Sequence, residues 1–135
     1  MKKVIFLLTA LSLVLSACSS SNGHQHHEAN PTEKKPPVPI HVQFASEPSK
    51  AKAGSKVTLS VKVTQENKNV NDANEVKFEV WKKDEKKHKM INAVKKGKGT
   101  YIAQYTFPET GTYEVMYHVT ARDLHNMEQK EMTVH

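Results

Sequence analysis

From Val38 almost to the C-terminus, apolar and polar residues alternate one for one, and this constrains the fold more than any other feature of the chain. Ile40, Val42 and Phe44 are separated by His41 and Gln43, and Val57, Leu59, Val61 and Val63 by Thr58, Ser60 and Lys62. Val76, Phe78 and Val80 interleave with Lys77, Glu79 and Trp81. Shorter runs lie at Met90–Val94 and Tyr101–Phe107, and Met132 and Val134 close the chain. The longest run sets Tyr113, Val115, Tyr117 and Val119 against Glu114, Met116, His118 and Thr120. A period of two puts every second side chain on the same face of an extended strand, so each run predicts a half-buried β-strand. Turn-forming clusters separate the runs at Pro48–Gly54, Asn67–Asn74, Lys82–Lys87, Gly97–Gly99 and Pro108–Gly111. No segment carries the 3.6-residue apolar stripe of an amphipathic helix. The expectation is an all-β fold, an immunoglobulin-like β-sandwich of about seven strands over residues 38–135.

That sandwich has to hold without covalent staples, because the single cysteine, Cys18, precedes it. One cysteine also excludes a disulfide framework and any cysteine-rich zinc or iron–sulfur centre. A mean hydropathy of −0.64 is too polar for a chain of several membrane spans. In Gly111-Thr112-Tyr113, a glycine precedes by two residues the tyrosine that opens a long strand. This is the spacing of the tyrosine corner of immunoglobulin-like sandwiches, where the phenol bonds back to nearby backbone. Tyr113 is either that phenol or an ordinary core aromatic, and both keep the fold.

Residues 1–17 have the character of an export signal. Lys2 and Lys3 supply positive charge, Val4–Leu15 is apolar but for Thr9 and Ser12, and no acidic residue occurs before Glu28. The apolar run is too short to span a bilayer and fits a cleaved segment. Leu15-Ser16-Ala17-Cys18 resembles the bacterial lipobox, in which the cysteine is lipidated and becomes the first mature residue. The expected localisation is therefore the extracytoplasmic face of the cell membrane, with the lipid bilayer as partner through Cys18. Removing residues 1–17 leaves 118 residues, with 18 basic against 14 acidic side chains and a net charge of +4. That excess suits anionic lipid or wall polymer. Nucleic acid is not an expected partner, since export removes the protein from it and no recognition motif stands among the lysines.

Residues 18–37 are expected to form a disordered tether. Ser19-Ser20-Ser21-Asn22-Gly23 is flexible, and Pro31, Pro36 and Pro37 stiffen its far end. Within it, His24, His26 and His27 form a histidine tract. The tract is either a loose collector of copper, nickel or zinc or a polar spacer, because a flexible segment has no preset ligand geometry.

The chain resembles the YtkA-like family, related to FixH-type domains of bacterial exported or membrane-tethered proteins. The likeness is carried by Val76-Lys77-Phe78-Glu79-Val80-Trp81-Lys82, Gly99-Thr100-Tyr101 and Gly111-Thr112-Tyr113, and above all by the stretch His118-Val119-Thr120-Ala121-Arg122-Asp123-Leu124-His125-Asn126-Met127. It covers Val38 to His135 apart from the lysine-rich turn. The resemblance implies an immunoglobulin-like sandwich without known enzymatic activity, in a family associated with metal or respiratory-complex biology.

The residues themselves point away from catalysis. There is no cysteine nucleophile in the domain, no Gly-rich phosphate loop and no Gly-x-Ser-x-Gly elbow. Metal chemistry has more material. Met116 and His118 share the outward face of one strand, His125 and Met127 follow in what reads as the next loop, and Met90 lies on a neighbouring hairpin arm. Imidazole with thioether is a soft-to-borderline donor set that favours copper, especially Cu(I), and an extracytoplasmic site without cysteine has to use it. The expected metal ligands are His118, His125 and Met127, with Met90 and Met116 as further candidates. His41, His88 and His135 join no evident shared site. The competing reading makes these side chains ordinary packing and solvated surface. In it, the chain is a binding or accessory module whose outward Trp81 docks a membrane-protein or wall partner. The charge runs Lys82–Lys89 and Lys95–Lys98 read as solvated hairpins.

The anchor is directly testable: Cys18→Ser should move the protein from the membrane to the soluble fraction of cells, measured by fractionation and detergent phase partitioning.

Overall fold

A computed structural model describes residues 35–135, and the signal, Cys18 and the histidine tract lie outside the described residues. The alternating runs become nine β-strands: β1 (His41–Glu47), β2 (Lys56–Gln65), β3 (Lys68–Asn69), β4 (Glu75–Lys82), β5 (Lys89–Asn92), β6 (Val94–Gly97), β7 (Thr100–Thr106), β8 (Gly111–Ala121) and β9 (Leu124–Val134). They form two antiparallel sheets, one in the order β1-β2-β7-β6 with β3 beside β2, the other in the order β5-β4-β8-β9. No helix occurs among the described residues.

The inward members of each alternation make the core between the sheets. Val57, Leu59, Val61 and Val63 from β2 face Val76, Phe78 and Val80 from β4 and Tyr113, Val115, Tyr117 and Val119 from β8, all buried. Phe44 of β1 meets Phe78 of β4 edge to face at 6.2 Å, a contact that joins the two sheets. Each fully buried aliphatic or aromatic side chain contributes about 1.5–3 kcal/mol of transfer free energy, and with no cysteine in this unit that burial is the main source of stability. Tyr113 donates its hydroxyl hydrogen to the carbonyl oxygen of Glu109, four residues back, at 3.2 Å while its ring packs against Phe107. This is the tyrosine-corner geometry.

Nine strands, where about seven are expected, reflect two local events. The Met90–Val94 run is two strands in different sheets: β5 pairs with β4, and β6 pairs with β7. The chain changes sheets at Ala93, whose N–H still bonds to the Val76 carbonyl. Met90 and Val94 are 48% and 64% exposed, and the inward members Ile91 and Ala93 are few and only half-buried against the core as the chain crosses from one sheet to the other. The second event is β3, a two-residue return against β2 after a turn at Glu66 and Asn67, both at positive φ.

A further difference bears on the site. The sequence reading puts His125 and Met127 in a loop; the structure puts both on β9. Arg122 (φ 52°) and Asp123 (φ 61°) reverse the chain in two residues, so Ala121 pairs with Leu124 and the hairpin zips from there to Gly111 and Val134. Left-handed backbone at two consecutive non-glycine residues is uncommon and is the signature of the tight type I′ reversal. Tertiary contacts hold it here, as the Arg122 guanidinium bonds to the Asp72 carboxylate at 3.2 and 3.3 Å and to Gln65 Oε1 at 2.7 Å.

The connection after β3 is pinned by residues from the family-like Gly99-Thr100-Tyr101 stretch. Tyr101 donates to the Val70 carbonyl and accepts from the Ala73 N–H, both at 3.0 Å, while the Gly99 N–H bonds to Asn71 Oδ1 at 2.7 Å. Gly99 has φ +75°, and a β-carbon there would meet the Val63 carbonyl oxygen at 2.5 Å, so no other residue fits. Tyr101→Phe leaves one buried backbone donor and one acceptor unmatched and should lower stability by about 1–3 kcal/mol, read from the urea midpoint at unchanged m-value.

Candidate metal-binding face

The outward members of the same alternations assemble on the solvent face of the β5-β4-β8-β9 sheet. Directly paired residues of an antiparallel ladder point to the same side, with β-carbons about 4.5–5.5 Å apart. The register therefore lays the face out in rows. Thr120 pairs with Glu75 on one side and His125 on the other. In the next row His118 lies between Lys77 and Met127, and in the next Met116 lies between Glu79 and Gln129, with Met90 beyond Glu79. Trp81 follows, paired with Glu114.

All five expected metal ligands thus share one face: His118 and Met116 on β8, His125 and Met127 on β9, and Met90 on β5. Met127 stands directly across from His118, not above it on a loop. The His118 and His125 rings have centroids 6.1 Å apart. Met90 and Met127 are 48% and 50% exposed, but they stand on the opposite edge strands β5 and β9, so the structure brings Met127 beside His118 and leaves Met90 apart. Among the described residues, no three His, Cys, Asp or Glu side chains converge as a metal-holding group. Any ion held on this face therefore draws on the thioethers, whose donor character suits soft ions.

Two residues join this face that the sequence does not mark as part of a site, Glu79 and His88. Glu79 accepts a hydrogen bond from His118 Nε2 at 2.9 Å and another from His88 Nδ1 at 2.6 Å, one on each carboxylate oxygen. His88, set apart in the sequence reading, stacks in turn on Trp81 with ring centroids 4.2 Å apart and planes 6° from parallel. Trp81 is accordingly outward, as expected, but half-buried under that imidazole. Glu79 is visible in the sequence as an outward residue between Lys77 and Trp81, but only the β4–β8 register brings it beside His118. His125 Nδ1 lies 2.9 Å from Thr120 Oγ1. The lysine-rich turn is also less free than expected, for Lys82 and Lys83 reach Glu109 and Glu131 at 2.6 and 2.7 Å. Beside it opens a cleft of about 330 Å³, with Trp81, His88, Tyr105 and Tyr113 among its walls.

The two imidazoles hold the Glu79 carboxyl below the usual carboxylate range, the His88 hydrogen bond most strongly and the His118 bond next, against a smaller opposing effect of burial. At the opposite side of β8, burial and the hydrogen bond to Glu128 push the Tyr117 phenol up to about 12, so it stays protonated and does no acid–base work near neutrality.

A family model described as YtkA-like matches residues 34–118. The match takes in β1 to most of β8 and ends at His118, so the stretch from Val119 to Met127 lies beyond it. No curated protein matches the chain. Among solved structures, the crystal structure of an engineered protein at 1.98 Å superposes with a TM-score of 0.57 at 18% identity, covering 72% of this chain and 20% of that one. At that identity the likeness concerns the fold alone, and this chain corresponds to about a fifth of the engineered protein's length.

The depressed Glu79 carboxyl has a stability consequence with a definite sign. Its stabilising contribution is complete above the ordinary glutamate range near about 4.3 and is lost as pH falls through that range towards the lower native value. Asp72, Glu109 and Glu128 are also lowered, by Arg122, Lys82 and Lys130 respectively, so the unaltered chain loses stability in acid from several sites. Urea midpoints followed downward from about pH 6 should fall less steeply for Glu79→Gln than for the unaltered chain.

Proposed function

The chain belongs to the YtkA-like family, and from that premise we propose that it is an extracytoplasmic, membrane-anchored lipoprotein that binds or delivers copper and is not an enzyme. The observation that carries this reading is the shared face of His118, His125, Met116, Met127 and Met90 on one sheet. In a domain without cysteine, imidazole and thioether are the donors that suit a soft ion, and this face collects most of them. His118, His125 and Met127 hold the ion, with Met116 one row from His118 on the same strand, while Met90 on the far edge strand β5 is two strands from β8 and three from β9 and is not a ligand to it. The half-exposed methionines support exchange with a partner, since a site that passes its cargo on has to be reached from outside. Copper is here cargo, and the lipid at Cys18 keeps it next to the membrane.

A second reading is favoured by the cleft beside Trp81. There the chain is a module that docks a membrane-protein or wall partner through aromatic and lysine side chains, with no metal. In that case Trp81→Ala abolishes the association while copper has no effect on it.

The deciding measurement is a Cu(I) and Cu(II) titration of the full chain in which His24, His26 and His27 are alanine and Cys18 is serine, so that neither tract nor thiol competes. One Cu(I) should bind per chain, with affinity falling at least about tenfold on His118→Ala or Met127→Ala, since losing a ligand costs no less than losing a group that only supports one. Binding no tighter than that of free imidazole overturns the copper reading.

A further inference from the structure

Glu79 is bonded to two imidazoles at once, and both bonds are directional. An ionised carboxylate only accepts, so the His118 nitrogen that faces it, Nε2, carries a hydrogen. A neutral imidazole has one N–H and one lone pair, and placing the hydrogen on Nε2 leaves the lone pair on Nδ1. The carboxylate is itself held. Its other oxygen takes the His88 Nδ1 hydrogen, and His88 is clamped flat against Trp81. The side chains of His118 and Glu79 are 18% and 21% exposed, so water competes weakly for this bond.

The neighbouring imidazole completes the picture. His125 engages Thr120 through Nδ1, leaving Nε2 as its unengaged nitrogen. Two imidazoles that share one ion at metal–nitrogen bonds of about 2 Å have ring centres roughly 5–6.5 Å apart. The 6.1 Å separation of His118 and His125 falls in that interval without any backbone movement.

We infer that Glu79 is a positioning residue for the metal-binding face: it fixes His118 as the Nε2–H tautomer, making Nδ1 the ligand atom, with His88 and Trp81 holding the carboxylate in place. The inference rests on the copper reading and adds to it the ligand atom and the residue that selects it. A carboxylate behind a ligating histidine orients the ring and raises its basicity, and such partners typically change metal affinity about 10–100-fold.

The test uses the ¹⁵N-labelled full chain with the tract and thiol replaced as above, at about pH 8, above the ordinary histidine range. Long-range ¹H–¹⁵N spectra of the metal-free chain should show His118 with its hydrogen on Nε2. Adding Cu(I) should shift Nδ1 while Nε2 keeps its hydrogen. Glu79→Ala should give a mixture of tautomers and weaken Cu(I) binding about 10–100-fold, while Glu79→Gln, which retains an acceptor oxygen, lies between. On a His118→Ala background, Glu79→Ala should cost little further affinity, which separates positioning through His118 from a general effect on the fold. Hydrogen on Nδ1, or an unchanged tautomer and affinity in a folded Glu79→Ala chain, overturns the inference. Absence of Cu(I) binding by the chain with Glu79 intact instead overturns the copper reading, and the ligand-atom assignment with it.

Discussion

The structure depends on the full-length pairing of β8 with β4 on one side and β9 on the other. One face of β8 supplies Tyr113, Val115, Tyr117 and Val119 to the core, and their burial is what makes the strand immovable. Its other face carries Met116, His118 and Thr120 to solvent at fixed spacing. Because the side-chain period of a strand is two, a slip of one residue would exchange these faces and bury the polar set. The same burial that stabilises the sandwich therefore also holds the outer face in register. A face supported in this way keeps its donors in place without being buried itself.

The chemistry of that face comes from a mixture of environments. Met90 and Met127 stand in the open, while His118 and Glu79 are mostly covered by their neighbours. The covered pair is where a hydrogen bond can set the state of a ring, since water competes poorly there. The two thioethers stand where solvent reaches them. Trp81, the one tryptophan, does not present a bare aromatic surface, because His88 lies flat upon it and links it to Glu79.

Most of the fold is legible in the sequence. The inward and outward sets of β2, β4 and β8 are as the alternation has them, and the tyrosine at Gly111-Thr112-Tyr113 makes the backbone bond its spacing suggests. The site is legible only in part. His118, His125 and the methionines can be picked out as outward or loop residues, but nothing in the sequence ties Glu79 or His88 to them, since neither is near His118 along the chain. The position of His125 and Met127 on β9 is hidden from the sequence for a related reason. Arg122-Asp123 carries no glycine or asparagine to mark a two-residue reversal, and its left-handed backbone is held from outside by Asp72 and Gln65.

By itself, then, the sequence determined the strand character of the domain, the face to which most side chains turn, and the lack of any thiol in the domain. These follow from properties local to each residue and its neighbours: the two-residue period of extended backbone and the position of Cys18. Strand order, register and the turn at Arg122-Asp123 were decided only in the tertiary structure. They depend on which strands bury their apolar faces together and on side chains that meet across fifty residues of chain. The meeting of His118 with Glu79, and its standing across from Met127, belong to that second kind, because no local rule of sequence sets the register between strands.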